Sequence, residues 1–267
     1  MRVVVIGFDG SADARRALAW AEALSAGESD VLLHLVQALG TPTLRGPVTA
    51  EELANLLAEH EQSSRSALEE EVARLTSNGL HAEAVVRRWF PAETLIEHAE
   101  QVAAQLVVLG THGAGRARFL LGSTTSEVVR GAHSPILVAR GSRLPVSPRK
   151  VLLALDGSIH SARAARVAAR WSPQAALCAT QVEGGADILS PEELSEVIAG
   201  LSLNGRAVTV RRLRGDPAQQ ILRLVESEEI DLIALGTRGL GPLVELLLGS
   251  VTEKLLQLAP CPVLISR

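Results

Sequence analysis

Tyrosine is absent from this chain of 267 residues, and only three Phe and three Trp are present. Proteins that hold nucleic acid draw affinity from basic surface against phosphate and stack bases on aromatic rings. With so few rings and a formal net charge of −4, broad nucleic-acid binding is excluded, and the pairs Arg87-Arg88 and Arg211-Arg212 read as solvated strand faces. Cysteine is nearly absent too. Cys178 and Cys261 each sit in an apolar segment, which predicts two buried reduced thiols rather than a disulfide or a metal site. No apolar run approaches the roughly 18 residues that a membrane span needs. The opening "MRVVVIGFDG" holds only a short apolar run that ends at Asp9 without a small-residue cleavage site, so it reads as a first strand, and a cytoplasmic location is expected.

Several chemical signatures are missing as well. There is no GxxxxGK[ST], no GxGxxG after a strand, no HExxH and no GxSxG, which disfavours the P-loop, the dinucleotide fold, zinc peptidases and serine hydrolases. The seven histidines, at 34, 60, 81, 98, 112, 133 and 160, share no ligand spacing. His34 lies in an apolar run and reads as a satisfied core or edge residue. No metal site is expected from protein ligands.

What is present is an ordinary globular composition, 47% hydrophobic and 21% charged, and a repeat. "VVVIGFDGSADARRALAWA" (3–21) matches "VLLALDGSIHSARAARVAA" (151–169), so Asp9 answers Asp156 at an offset of 147. Pro91 answers Pro217 and Gly110 answers Gly236, both at 126, so the second copy is 21 residues shorter between these landmarks. Gly122 answers Gly249 and Pro135 answers Pro262 at 127. "GSRLPVSPRK", rich in Gly, Ser and Pro, reads as a linker. The expected organisation is a domain at 1–140, a linker at 141–150 and a second domain at 151–267.

Within each half, short apolar runs such as "RVVVIGF", "DVLLHLV", "HAEAVV", "QLVVLG" and "PILVAR" alternate with longer stretches of helical spacing. This predicts an α/β fold with an open, mainly parallel sheet. The helix after the second strand begins at Thr49 with Glu52 three residues on, a capping box, carries Leu53, Leu56, Leu57, Leu68, Val72 and Leu75 as a stripe, and stops at Asn78-Gly79. The second copy keeps a shorter version, announced by Ser190, Pro191 and Glu193 and ended by Asn204-Gly205, so much of the missing length is expected here.

Ligands of open parallel sheets bind at the carboxyl ends of the strands, where strand order reverses. Asp9 and Asp156 follow the first strand of each half, and Gly110 and Gly236 close "LVVLG" and "LIALG". Glycines at 236 and 239 let the backbone approach an anion closely, and Gly249-Ser250 begins a helix whose free N–H groups favour phosphate. Each residue also has a purely structural reading: Ser250 with Glu253 forms a capping box, Asp156 and Ser158 cap a helix, and a glycine after a strand makes a turn.

Gly236-x2-Gly239-x9-Gly249-Ser250, set after a strand and followed by "VTEKLLQLAPCPVLISR", resembles the nucleotide-binding signature of the universal stress protein family, and the "DGS" at 156–158 resembles its first-strand motif. The resemblance covers nearly the whole chain, once per half, as in a tandem member. It implies two open five-stranded parallel-sheet domains forming a pseudo-dimer. It also implies ATP as ligand, with Asp156 toward the nucleoside and Gly236, Gly239, Gly249 and Ser250 toward the phosphates. Thr237 and Arg238 lie inside the loop, Arg238 either pairing with a phosphate or solvated. The first half carries the weaker candidates Asp9, Gly110, Gly113, Gly122 and Ser123. Its loop is one residue short, a difference Gly115 is placed to absorb.

The resemblance permits at most slow ATP hydrolysis, since no general base or metal-binding carboxylate cluster is evident beside the loop. Any Mg²⁺ would then be held by phosphates and water. It implies an unidentified protein partner, and last strands, "PILVAR" and "PVLISR", that pair within the chain and let identical chains associate further. The competing reading is a stress-response scaffold without nucleotide. An ATP-activating enzyme of the related α-hydrolase group would need an SGGxDS-like loop, which "FDGSAD" and "LDGSIH" are not.

Overall fold

The computed structural model describes residues 1–40, 49–88, 90–112, 121–141, 147–183, 189–201, 203, 205–237 and 248–267. The first half runs β1 (Arg2–Gly7), α1 (Ala12–Ser25), β2 (Val31–Ala38), α2 (Ala50–Ser77), β3 (His81–Arg87), α3 (Pro91–Gln101), β4 (Leu106–Gly110), α4 (Ser123–Gly131) and β5 (Ile136–Ala139). The second repeats it as β6 (Lys150–Ala154), α5 (Ile159–Trp171), β7 (Ala176–Glu183), α6 (Pro191–Gly200), β8 (Val208–Arg214), α7 (Pro217–Ser227), β9 (Leu232–Gly236), α8 (Ser250–Leu258) and β10 (Val263–Ser266). β6 thus begins at Lys150, the last residue of the expected linker.

All ten strands form one sheet in the order β3-β2-β1-β4-β5-β10-β9-β6-β7-β8. Every neighbouring pair is parallel except β5 and β10, which run antiparallel with Leu137 opposite Leu264. Strand order reverses beside β1, which pairs with both β2 and β4, and beside β6, which pairs with both β7 and β9. The expected pairing of the last strands is therefore made inside the chain. It uses both edges of each, since β5 also pairs with β4 and β10 with β9, so no edge of either is left for a second chain.

Alternation along the buried strands splits the core into two layers. Leu106 and Val108 of β4 face a cluster with α1, α2, α5 and α6, while Val107 and Leu109 face one with α3, α4, α7 and α8. Both clusters run through both halves. Helix starts follow the sequence: Thr49 and Glu52 form a reciprocal capping box, as do Ser190 and Glu193, satisfying N–H groups that the first turn leaves free. α2 has 28 residues and α6 has 10, so this helix accounts for most of the length difference between the copies. The apolar stripe of α2 is only partly used, however. Leu68 and Leu75 are fully buried, whereas Leu56 is 44% exposed and no residue of 50–63 is buried.

Cys178 and Cys261 are buried and not joined in a disulfide. Among the described residues no helix is long and apolar enough to cross a membrane, and no group of three or more His, Cys, Asp or Glu is placed to hold a metal ion.

Candidate functional site

The carboxyl ends of β6, β7 and β9 surround a cavity of about 260 Å³. It brings together Asp156, Gly236, Gly249 and Ser250, residues far apart in sequence, because the reversal of strand order opens a crevice there. Its walls are mixed: Ile221 and Leu235 are apolar, and Thr180, Gln181 and Thr252 bring polar atoms. Thr237 lies at the end of β9, buried, and its carbonyl accepts the Gly249 N–H at 2.9 Å. Arg238 and Gly239 lie outside the described residues.

The helix that begins here has no side-chain cap. Gly249 is the N-cap residue of α8 and Ser250 stands at the first helical position, exposed. The expected Ser250–Glu253 capping box is therefore not formed, since a residue already inside the helix is misplaced to bond its own first-turn N–H groups. Five other helices, α1, α2, α5, α6 and α7, are capped by Ser11, Thr49, Ser158, Ser190 and Asp216. The first turn of α8 lines the cavity, and its N–H groups carry the positive end of the helix dipole. Asp156 does not cap α5 itself. Ser158 does, while the Asp156 carboxylate accepts the Ser158 N–H at 3.0 Å and keeps its other oxygen free of any hydrogen bond among the described residues.

The first half repeats the geometry on a smaller scale. A cavity of about 130 Å³ at the ends of β1, β2 and β4 is lined by Asp9, Gly110 and His112, with Val36, Leu95 and Leu109 as apolar wall. Gly122 and Ser123 do not line it, and Gly113 and Gly115 lie outside the described residues. The loop ends are nevertheless pinned alike in both copies: Gly122 N–H bonds Thr111 O at 2.8 Å as Gly249 N–H bonds Thr237 O, and Thr125 Oγ1 bonds Gly110 O at 2.8 Å as Thr252 Oγ1 bonds Gly236 O at 3.1 Å. The one-residue difference between the loops thus falls between these pins, at 112–121 and 238–248.

Sequence reasoning missed Gln181 and Thr252. Gln181 is buried at the end of β7, with its amide oriented to donate to Leu189 O at 3.1 Å and accept Leu189 N–H at 2.9 Å, tying the chain after β7 to the cavity. Thr252 lies in the first turn of α8. Its offset of 127 from Thr125 was the one available signal. His34 is buried as expected, but its partner is another histidine: His34 Nδ1 lies 2.9 Å from His98 Nε2 on α3.

Comparison with known proteins agrees with this architecture. The chain is 27% identical to a universal stress protein of Mycolicibacterium smegmatis, spanning 99% of this chain and 96% of that one. It is 30% identical to one of Mycobacterium tuberculosis over 70% of this chain and 68% of the other. A crystal structure of a universal stress protein from Archaeoglobus fulgidus matches 99% of this chain and 98% of its own with a TM-score of 0.77 at 20% identity, a likeness of fold. The model of the universal stress protein family matches residues 1–140 and 179–267. With five parallel strands, a reversal of strand order and a glycine-bounded loop present once in each half, this chain belongs to the universal stress protein family as a tandem member.

Proposed function

We propose that the chain is an ATP-binding stress-response protein built of two units, 1–140 and 151–267 joined by 141–150, with the nucleotide held in the second. The observation that carries this reading is the N-terminus of α8, which has no side-chain cap and lines the same cavity as Asp156. Phosphates would take the N–H groups of α8 and of the preceding loop, with the Ser250 hydroxyl as a further donor. The free oxygen of Asp156 would accept a ribose or base donor, and Ile221 and Leu235 would cover the apolar faces of the base.

Gly236, Thr237 and Gly239 shape the loop in this reading, and Arg238 pairs with a phosphate. Mg²⁺ would be bound through phosphates and water, which suits a cavity whose described lining holds one carboxylate, Asp156. Hydrolysis is at most slow, because no described residue stands ready as a general base. The protein would work in the cytoplasm, where nucleotide occupancy alters contact with a protein partner or with a second copy of the chain.

The test is calorimetric titration of nucleotide-stripped protein with ATP and Mg²⁺. Gly249→Glu places bulk and negative charge where phosphate belongs. Uptake of ATP that vanishes in the folded variant supports the reading. Absence of binding by the unmutated chain would leave a scaffold that acts through protein contacts alone.

A further inference from the structure

Beside the two cavities, the starts of the glycine loops differ in a charged group that the glycine spacing does not reveal. In the first half the carboxylate of Asp13, in the first turn of α1, lies against the start of the glycine loop. Its Oδ2 accepts Thr111 Oγ1 at 2.6 Å and the His112 N–H at 3.1 Å, and sits 3.4 Å from His112 Nδ1. α1 passes so close that a Cβ on Gly110 would meet the Asp13 backbone at 2.7 Å. Burial opposes the charge, yet the Thr111 hydroxyl, the Arg16 guanidinium and the His112 N–H hold this carboxyl below the usual carboxylate range. It is an anion at neutral pH, fixed by three partners.

At the offset of 147 the second half has His160 where the first has Asp13, and at 126 it has Thr237 where the first has Thr111. Among the described residues nothing there replaces the carboxylate: the acid that lines the second cavity is Asp156, the counterpart of Asp9. His160 Nδ1 is shielded from solvent and has no hydrogen-bond partner among the described residues. In the first half, by contrast, a loop N–H and a loop hydroxyl are already taken by an internal anion. A polyphosphate placed there meets a like charge and loses two donors, both of which weaken binding. An uncharged nucleoside needs neither donor. It needs the carboxylate of Asp9 and the apolar wall of Val36, Leu95 and Leu109, and the first cavity offers both in half the volume.

We propose that Asp13 is a specificity-determining residue that closes the first pocket to phosphate groups and leaves it to an uncharged nucleoside such as adenosine, while the second pocket takes the nucleotide. This deepens the nucleotide reading above and rests on it. It makes the duplicated chain a protein with two different ligands, one per half.

The experiment is calorimetric titration of the full nucleotide-stripped chain with adenosine and, separately, with ATP and Mg²⁺. The unmutated protein is expected to bind two adenosines but one ATP. In a Gly249→Glu background, which puts negative charge where the phosphates of the second pocket belong, two adenosines and no ATP are expected. Adding Asp13→Asn, which keeps an acceptor for Thr111 and removes the charge, is expected to raise ATP affinity at the first pocket at least about tenfold. Two ATP per unmutated chain overturns the inference while leaving the nucleotide reading intact. So does a folded Gly249→Glu, Asp13→Asn chain that binds adenosine but still no ATP, and so does a Gly249→Glu chain that binds no adenosine. If the unmutated chain binds neither ligand, the nucleotide reading itself falls and this inference with it. The stoichiometries of the unmutated chain decide the matter even where Asp13→Asn fails to fold.

Discussion

His34 and His98 stand 64 residues apart in sequence, yet share one hydrogen bond in the core between β2 and α3, with ring centroids 5.1 Å apart. A single N–H can be shared between two neutral imidazoles, but a proton added to both destroys the bond and leaves two cations side by side. Burial pushes both rings below the usual histidine value; Glu83 opposes this for His34, while the neighbouring His34 and Arg87 reinforce it for His98. Groups whose folded pKa lies below the unfolded one favour the unfolded state when protons are added. The stability they contribute is therefore complete above the unfolded value near 6.5 and is lost as pH falls below it, by about 1.4 kcal/mol per pH unit for each proton taken up on unfolding. Melting temperature is expected to fall from about pH 7.5 to about pH 5, and His98→Phe to flatten that fall. Superimposable pH profiles for the two proteins would show that the pair does not couple to folding.

At the scale of elements, much was legible. The offsets of 147, 126 and 127 fixed the repeat, alternation of apolar runs fixed the strands, and the boxes at Thr49 and Ser190 marked helix starts that the structure keeps. These signals are local, so a single chain displays them. The Asp13 contact with Thr111 crosses 98 residues, and the histidine pair crosses 64; neither leaves a spacing to read, because it arises only when strand order brings α1 to β4 and β2 to α3. Legibility also failed along α2, where an amphipathic stripe continued into turns that are not buried. That unevenness makes a prediction. Thr49→Ala removes a cap worth about 1 kcal/mol to the helix, but the first turns of α2 are exposed and open independently of the core. Hydrogen exchange at residues 50–57 is expected to speed up several-fold while the global melting temperature stays unchanged within about 1 °C. Leu68→Ala, at a fully buried position of the same helix, is expected to cost about 2–5 kcal/mol globally. Equal global losses from the two variants would mean that α2 is cooperative along its whole length.

The whole molecule is held at one seam, where β5 meets β10 and the two halves exchange arginines. Arg140, at the end of β5, donates from Nε to Ala259 O at 2.6 Å and from Nη2 to Gln257 O at 2.5 Å, so a cation of the first half closes the C-terminus of α8 in the second. Arg267, its counterpart at 127, bonds the Arg130 carbonyl at the end of α4 in return. Burial pulls the Arg140 guanidinium below the ordinary arginine value, a cost that carbonyl acceptors and the negative end of the helix dipole offset. Gly141 follows with φ +80°, and a Cβ there would overlap the Pro260 carbonyl, so the chain can leave the seam only through glycine. Both apolar clusters also cross from one half to the other, which ties the unfolding of each to that of its neighbour. Denaturant unfolding of the unmutated chain is therefore expected to show one transition by far-UV dichroism and by tryptophan fluorescence alike. Trp20 and Trp171 are both buried and report from α1 and α5, one in each half. Arg140→Ala strips the cap from α8 and leaves the part-buried Ala259 carbonyl without this partner, which is expected to cost about 1–3 kcal/mol and to lower the melting temperature by about 2–12 °C. Because Trp20 and Trp171 report from both halves, as far-UV dichroism does, the two midpoints are expected to fall together. Two transitions in the unmutated protein, or a melting temperature indifferent to Arg140→Ala, would place the coupling between halves elsewhere than at this seam.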